Sequence, residues 1–191
     1  MKISIAKNNE DLTEDYLDNH NIIYISKYST LIFFFKVIVA IAYAFGLGYS
    51  LFFVGDEYIK VGKIFLALLI ISYIVIEYPY ALIKALFLPM VFKKDNINLV
   101  INPFTMNINI KSKIKISKIR IIISSLVPCI LLAVIPTIAS YILEFNLYLY
   151  AIASAAAIIS VRDIIYLLVI IKNYFMGDFI QLELNKFIFY K

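Results

Sequence analysis

Residues 64–92 read IFLALLIISYIVIEYPYALIKALFLPMVF, and this apolar stretch decides the fold. An apolar run of about 18 or more residues predicts a helix that crosses a lipid bilayer. This run is longer than one crossing needs, so a tilted or bent helix is expected. Pro79 lies near the middle of the run and predicts a kink, because proline cannot donate the backbone hydrogen bond of a helix.

Three more apolar runs of the same kind occur, at residues 31–54, 121–143 and 147–171. Of the 191 residues, 63% are hydrophobic and only 16% are charged, whereas soluble domains are about 25% charged. This composition excludes an ordinary soluble globule, and it excludes a disordered chain, which needs low hydrophobicity. The sequence therefore predicts an all-α membrane bundle of four transmembrane helices. Residues 31–178 are expected to form one membrane domain, since no linker or repeat divides them.

Lysine and arginine in the connecting segments predict the orientation of the bundle. Thirteen of them fall in residues 1–30, between the second and third runs, and after the fourth run, whereas Lys60 and Lys63 alone fall between the first and second runs. Both termini and the large middle segment are therefore expected in the cytoplasm of a bacterium, with the bundle in its plasma membrane. Residues 8–21 are polar and acidic, which is not typical of a signal peptide. The basic middle segment is expected to contact anionic lipid headgroups rather than nucleic acid.

Two segments on the cytoplasmic side alternate with the period of a β-strand. Apolar and polar residues alternate over residues 97–101 and 105–116, and Asn102-Pro103 between them is typical of a turn. A β-hairpin is therefore predicted over residues 96–117. Residues 179–191 alternate as well and predict a C-terminal strand or tail. Two interpretations stay open: a small sheet that covers the inner mouth of the bundle, or an exposed edge to which an extended peptide adds as a strand.

Five ionisable residues interrupt the apolar runs: Lys36, Glu77, Lys84, Arg162 and Asp163. Such groups are costly in a bilayer and usually face a partner or a cavity. Lys36 and Arg162 are long enough to snorkel to the inner interface. Asp163 is too short to do so and is expected to pair with Lys84, with Arg162 turned elsewhere. Glu77 lies one heptad from Lys84, about 10 Å deeper on the same face, and is expected to be neutral and without a charged partner.

The stretch from Tyr80 to Pro89, YALIKALFLP, resembles the motif H-E-L-[LI]-H-A-L-F-F-P of a family of small bacterial membrane proteins described as zincin peptidases. Two landmarks follow in the same order: a third run with proline, SSLVPCILL, and a fourth run with an aspartate before an aliphatic stretch, VRDIIYLLVIIKN. The resemblance extends from Ile64 to about Gln181. The layout is also similar to that of the site-2-type intramembrane zinc proteases.

In the motif that the chain resembles, two histidines at positions i and i+4 bind zinc, and the glutamate after the first activates the metal-bound water. Here Tyr80 stands at the first histidine, Ala81 at the glutamate and Lys84 at the second histidine. Asp163 remains as a third ligand, and His20 lies outside the runs, where it cannot replace two ligands. The resemblance therefore implies a pseudoenzyme with no metal and no cofactor, in which a Lys84–Asp163 ion pair takes the place of the metal.

The chain is accordingly predicted to be a catalytically inactive zincin-like membrane protein that binds a peptide or a membrane-protein partner. An alternative is a small immunity or accessory protein for a peptide toxin or its export. A proton- or ion-coupled transport subunit that uses Glu77 and Asp163 ranks lower, because four helices rarely form a complete pathway. An active membrane metallopeptidase also ranks lower, and Cys129 has no histidine near it that would allow another mechanism.

Overall fold

The computed structural model describes six stretches of the chain, at residues 2–5, 21–52, 58–89, 96–102, 107–183 and 186–190. Several features expected from the sequence lie outside these stretches. They are the acidic N-terminal segment with His20, the part of the hairpin turn that follows Asn102, and the ends of the first two apolar runs at residues 53–54 and 90–92.

The described part of the chain forms five α-helices: α1 (Ser29–Phe52), α2 (Tyr58–Leu86), α3 (Lys118–Cys129), α4 (Ile135–Ile142) and α5 (Leu147–Lys172). A π-helical turn, Ile130–Val134, joins α3 and α4 into one rod, so the helices form four rods. All four are long and apolar enough to cross a membrane, as predicted. The second rod begins at Tyr58 and ends at Leu86, so each of its ends lies six residues earlier in the chain than the matching end of the predicted run at residues 64–92. Its end precedes Pro89, which disfavours helical backbone in the residue before it.

Helix α5 is the centre of the bundle and contacts each of the other four helices. The small residues in its first half are buried: Ala151, Ala153, Ser154, Ala155 and Ala156. Small side chains let helix backbones approach closely, so the neighbouring helices pack tightly against this half of α5. Helix α1 lies at the periphery of the bundle. Only 6% of the residues in its most apolar 18-residue stretch are buried, against 67% for the corresponding stretch of α5.

Seven β-strands lie in the described stretches: β1 (Lys2–Ile5), β2 (Asn21–Tyr24), β3 (Ile97–Asn102), β4 (Asn107–Ser112), β5 (Ile116–Ser117), β6 (Phe179–Leu182) and β7 (Lys186–Tyr190). One sheet has the order β1-β3-β4, with β1 parallel to β3 and β4 antiparallel to it. The other has the order β2-β7-β6-β5 and is antiparallel throughout. The predicted hairpin is present as β3–β4, and the predicted C-terminal strand is present as the hairpin β6–β7.

The prediction of one unbroken strand up to Ile116 is wrong. Strand β4 ends at Ser112, and β5 pairs with β6 in the other sheet. The Ser112 hydroxyl donates a 3.0 Å hydrogen bond to the carbonyl of Ile114, a local bond of the kind that competes with a strand ladder. The N-terminal segment also supplies β1 and β2, which the sequence does not reveal, because four residues are too few to establish a period.

Two lysines that were expected to face lipid make contacts within the protein. Lys36 Nζ donates to the Tyr73 hydroxyl on α2 at 3.0 Å, and its snorkelling stays a prediction. Lys118 belongs to the basic segment expected at the headgroups, but it is buried, and its ammonium group donates to the carbonyl of Tyr174. Lys118 therefore ties the start of α3 to the turn after α5, and the expectation of a headgroup contact is wrong for this residue.

Candidate functional site

Helix α2 carries the three motif positions within little more than one turn, and the cationic residue among them, Lys84, contacts α5. Lys84 Nζ lies 2.6 Å from Asp163 Oδ1, with the two side chains 13% and 1% exposed. The predicted contact between Lys84 and Asp163 is therefore confirmed. A hydrogen bond between two charged groups at this distance is about twice as strong as a neutral one, so this pair links α2 firmly to α5.

Glu77 and Arg162 form a second ion pair beside the first. Arg162 Nη2 lies 3.2 Å from Glu77 Oε1, and Arg162 Nε lies 3.9 Å from Asp163 Oδ1. Three predictions are therefore wrong: Arg162 is buried rather than snorkelling, it turns toward Asp163 and α2 rather than elsewhere, and Glu77 has a charged partner. Neighbouring residues on a helix are about 100° apart, so Arg162 and Asp163 both flank the contact with α2. We call Glu77, Lys84, Arg162 and Asp163 the buried charge quartet.

The quartet contains two cations and two carboxylates, so its formal charges cancel. Charges taken out of water are tolerated when they are paired and hydrogen-bonded. Removing one partner from a buried pair leaves an uncompensated charge, which costs about 3–5 kcal/mol. Each member of the quartet therefore depends on the others.

Strand β4 reaches into the quartet with its backbone. The N–H of Ile108 donates to Glu77 Oε1 at 2.9 Å, and the carbonyl of Ile108 accepts from Arg162 Nη2 at 3.4 Å. Glu77 lies nine residues before the end of α2, which is about 13 Å along the helix axis. The hairpin therefore reaches between α2 and α5 as far as Glu77, and its role as a cover of the inner mouth stays a prediction. The sequence carries no signal for this contact, since the alternation of β4 does not say which helix it meets.

The side chains at the other two motif positions are buried and pack against apolar neighbours. Tyr80 is 1% exposed, and its ring packs in a cluster that includes Ala133 and Ile159. Ala81 packs against Leu99 of the hairpin. Ala81, which stands at the position of the general base, therefore makes a hydrophobic contact between α2 and the hairpin.

A cavity of about 40 Å³ lies beside the quartet. Helices α2, α3 and α5 and the two sheets line it, with side chains that include Tyr80, Lys84, Ile110, Ser125, Arg162 and Asp163. The Tyr80 hydroxyl lies beside the Asp163 carboxylate, and Arg162 Nη1 is a buried donor of this lining with no hydrogen-bond partner among the described residues. Sequence reasoning missed Ile110 and Ser125, because nothing in an apolar strand or a serine pair marks a cavity wall.

The residues at the motif positions do not fit a zinc ion. A catalytic zinc site has three protein ligands drawn from histidine, cysteine and carboxylate. Within the described stretches, no three such side chains come together. Asp163 alone offers a ligand atom of the expected type, and its Oδ1 is bonded to Lys84. Protonated lysine has no lone pair for a metal, and alanine has no donor atom at all.

The fold and the site define a bundle of four potential membrane helices whose second rod carries a zincin-type motif in altered form. A family model described as "Putative zincin peptidase" matches residues 73–174, just over half of the chain. The chain belongs to this family, and the resemblance noted in the sequence is confirmed. The matched segment contains the whole quartet and the hairpin β3–β4. Searches for related curated proteins and for related solved structures gave no significant match.

Proposed function

We propose that this chain is a catalytically inactive zincin-like membrane protein that acts by binding a peptide or protein partner. The ion pair between Lys84 and Asp163 carries the proposal. An ammonium group at this place repels a metal cation and occupies the carboxylate oxygen that would serve as a ligand. Ala81 cannot take a proton from water, so general-base catalysis is lost as well. These two changes remove both chemical functions that the motif supplies.

We place the bundle in a bacterial plasma membrane, with both termini in the cytoplasm. The uneven distribution of lysine and arginine supports this orientation. The outer faces of the rods support insertion, since they expose large apolar side chains such as Phe33, Phe45, Ile71 and Val75. Soluble monomers rarely expose large contiguous apolar patches, whereas lipid tails cover such a surface at no cost.

Strand β4 offers the edge at which a partner binds. Backbone groups of an antiparallel strand point alternately toward its neighbour and away from it, so Ile108, Ile110 and Ser112 point away from β3. The quartet already covers Ile108. Near the other end, the Ser112 hydroxyl accepts from the N–H of Leu182 at 3.1 Å. The backbone N–H and carbonyl of Ile110 lie between these two contacts, beside the cavity, and an extended peptide reaches the edge there by strand addition.

Peptidase activity of the full chain in lipid nanodiscs tests the proposal. A variant with Tyr80→His, Ala81→Glu and Lys84→His restores the motif and serves as the positive control, with Asp163 as the third ligand. We expect no cleavage of single-span membrane peptides by the wild type and chelator-sensitive cleavage by the restored variant. Cleavage by the wild type that a chelator abolishes would overturn the proposal.

A further inference from the structure

The third rod begins and the fourth rod ends at the same end of the bundle, and the chain ties these two ends together. The Lys118 ammonium group donates to the carbonyl of Tyr174, and the backbone N–H of Lys118 donates to the carbonyl of Asp178 at 3.4 Å. Strand β5, directly before α3, pairs with β6, so that Ser117 lies opposite Phe179. The start of α3 and the segment after α5 therefore form one continuous surface.

This surface exposes large apolar side chains. Phe175 is 96% exposed, Ile119 is 64% exposed and Phe179 is 44% exposed. Ile119 follows Lys118, the first residue of the third candidate span, and Phe175 comes three residues after Lys172, the last residue of the fourth. These side chains therefore lie where the apolar rods meet the polar part of the chain, and aromatic side chains are favoured at that level of a membrane.

Exposed cations lie on the same surface. Residues 111–120 and 172–182 contain six basic residues and one acidic residue, Asp178. Arg120 and Lys172 are exposed, and neither forms an ion pair with any residue that the structure describes. This excess of positive charge favours a partner that carries negative charge. We call the following residues the interfacial patch: Ile119, Arg120, Lys172, Phe175 and Phe179.

The combination of exposed cations and apolar side chains fits an anionic phospholipid better than a nucleic acid. A headgroup phosphate attracts arginine and lysine, and the acyl chains below it cover apolar side chains, for which a nucleic acid backbone has no counterpart. The apolar surface of the rods continues directly into the patch, so the bilayer that covers the rods also reaches the patch. In the orientation proposed above, this end of the bundle lies at the cytoplasmic leaflet, whose surface is negatively charged.

We infer that the interfacial patch docks onto the headgroup layer of the cytoplasmic leaflet and selects anionic phospholipids there. Arg120 and Lys172 contact the headgroup phosphates, and Ile119 and Phe175 lie at the level where the acyl chains begin. The inference uses the membrane placement proposed above but not the loss of hydrolysis. The sequence predicts headgroup contact for the basic middle segment alone, and the structure adds the end of α5 to that contact.

Fluorescence of a Phe175→Trp reporter chain in nanodiscs measures this preference, because the sequence contains no other tryptophan. The nanodiscs combine phosphatidylcholine with phosphatidylglycerol, which has a negative headgroup on the same acyl chains. One of the two lipids is brominated at a time, so that it quenches the tryptophan when it lies beside it. Each cation near an anionic surface is worth about fivefold in affinity. We therefore expect phosphatidylglycerol to be enriched beside the tryptophan at least about fivefold over its share of the bilayer.

Two charge variants of the reporter chain locate the preference. Arg120→Gln with Lys172→Gln removes two exposed cations of the patch, so the fold should be kept and the enrichment should fall below about twofold. Lys60→Gln with Lys63→Gln is the matched control, because it also removes two exposed cations. They lie at the start of α2, which packs near the start of α5 and so at the opposite end of the bundle. The control should keep the enrichment of the reporter chain.

Three results would overturn the inference. They are no enrichment of phosphatidylglycerol beside the tryptophan, an enrichment that survives Arg120→Gln with Lys172→Gln, or an equal loss in the control, which would assign the effect to the net charge of the chain. Emission typical of water would contradict the membrane placement itself, and the inference with it. The cleavage assay tests the loss of hydrolysis separately, so failure of this inference and failure of the proposed function are distinguishable.

Discussion

Lys84 and Asp163 share a 2.6 Å hydrogen bond between α2 and α5. On the same carboxylate oxygen, Arg162 Nε lies 3.9 Å away. Asp163 thus faces two cations, whose combined formal charge equals that of one zinc ion. Under the proposed function, these two cations compensate Asp163 in the place where a metal ion would otherwise do so.

A double-mutant cycle tests this compensation. Lys84→Ala should lower the free energy of unfolding by about 3–5 kcal/mol, because it leaves Asp163 with only the distant Arg162 contact. Lys84→Ala combined with Asp163→Ala should recover much of that loss. Unfolding in mixed micelles measures both, and additive losses in the double variant would contradict the pairing.

Lys36→Ala is the control for that cycle. Lys36 also lies within an apolar helix, but its described partner is the neutral hydroxyl of Tyr73. Losing this bond should cost about 1 kcal/mol. If Lys36→Ala lowered the free energy of unfolding as much as Lys84→Ala does, the effect of Lys84→Ala could not be assigned to its pairing with Asp163.

The contact of Glu77 with the backbone of Ile108 predicts a specific change in hydrogen exchange. Glu77→Leu removes the acceptor and leaves Arg162 without its carboxylate, so exchange of the β4 amides should accelerate at least about tenfold. The hairpin β6–β7 should be unaffected, because its ladder does not involve Glu77. Glu77→Gln keeps an acceptor oxygen and should give an intermediate rate. Equal acceleration in both hairpins would indicate global destabilisation and count against a local contact.

Gly46 on α1 predicts a packing effect between α1 and α5. A Cβ at Gly46 would lie too close to the Tyr150 hydroxyl, whereas a Cβ at Gly48 would meet nothing within 4 Å. Gly46→Ala should therefore lower the free energy of unfolding by about 1–3 kcal/mol. Gly48→Ala should be neutral or stabilising, since alanine favours helix over glycine. Similar effects of the two substitutions would argue against this helix contact.

The absence of tryptophan from the sequence makes membrane insertion measurable at a chosen residue. Phe175, directly after α5, is 96% exposed, and aromatic residues favour the membrane interface. We expect Phe175→Trp to fluoresce with a blue-shifted maximum and to be quenched by brominated lipids. Tyr24→Trp, on β2, is the control and should be quenched less under the proposed orientation. Emission of Phe175→Trp typical of water would contradict the proposed position of α5.

Much of this architecture follows from the sequence by simple rules. Apolar length predicts the four rods, period-two alternation predicts the hairpin β3–β4, and the cost of a buried carboxylate predicts the contact between Lys84 and Asp163. Each rod and the hairpin are determined by the pattern within one segment. The contact between Lys84 and Asp163 is determined by the need of a buried carboxylate for a cation. The family resemblance follows from ten residues, from Tyr80 to Pro89.

The parts that could not be predicted depend on how separate segments meet. Glu77 was expected to be unpaired because the sequence does not show that Arg162 turns toward α2. The role of Ile108 lies in its backbone, which no side-chain pattern reports. The cavity arises where α2, α3, α5 and the sheets converge, so its walls combine residues that are far apart in the chain.

Zinc content of the purified chain tests the central claim most directly. The wild type and the variant carrying Tyr80→His, Ala81→Glu and Lys84→His are loaded with zinc, washed and measured by elemental mass spectrometry. We predict far less than one zinc per wild-type chain and about one per chain in the restored variant. A stoichiometric zinc ion in the wild type, lost on Asp163→Ala, would contradict the claim that the Lys84 ammonium group occupies the place of the metal.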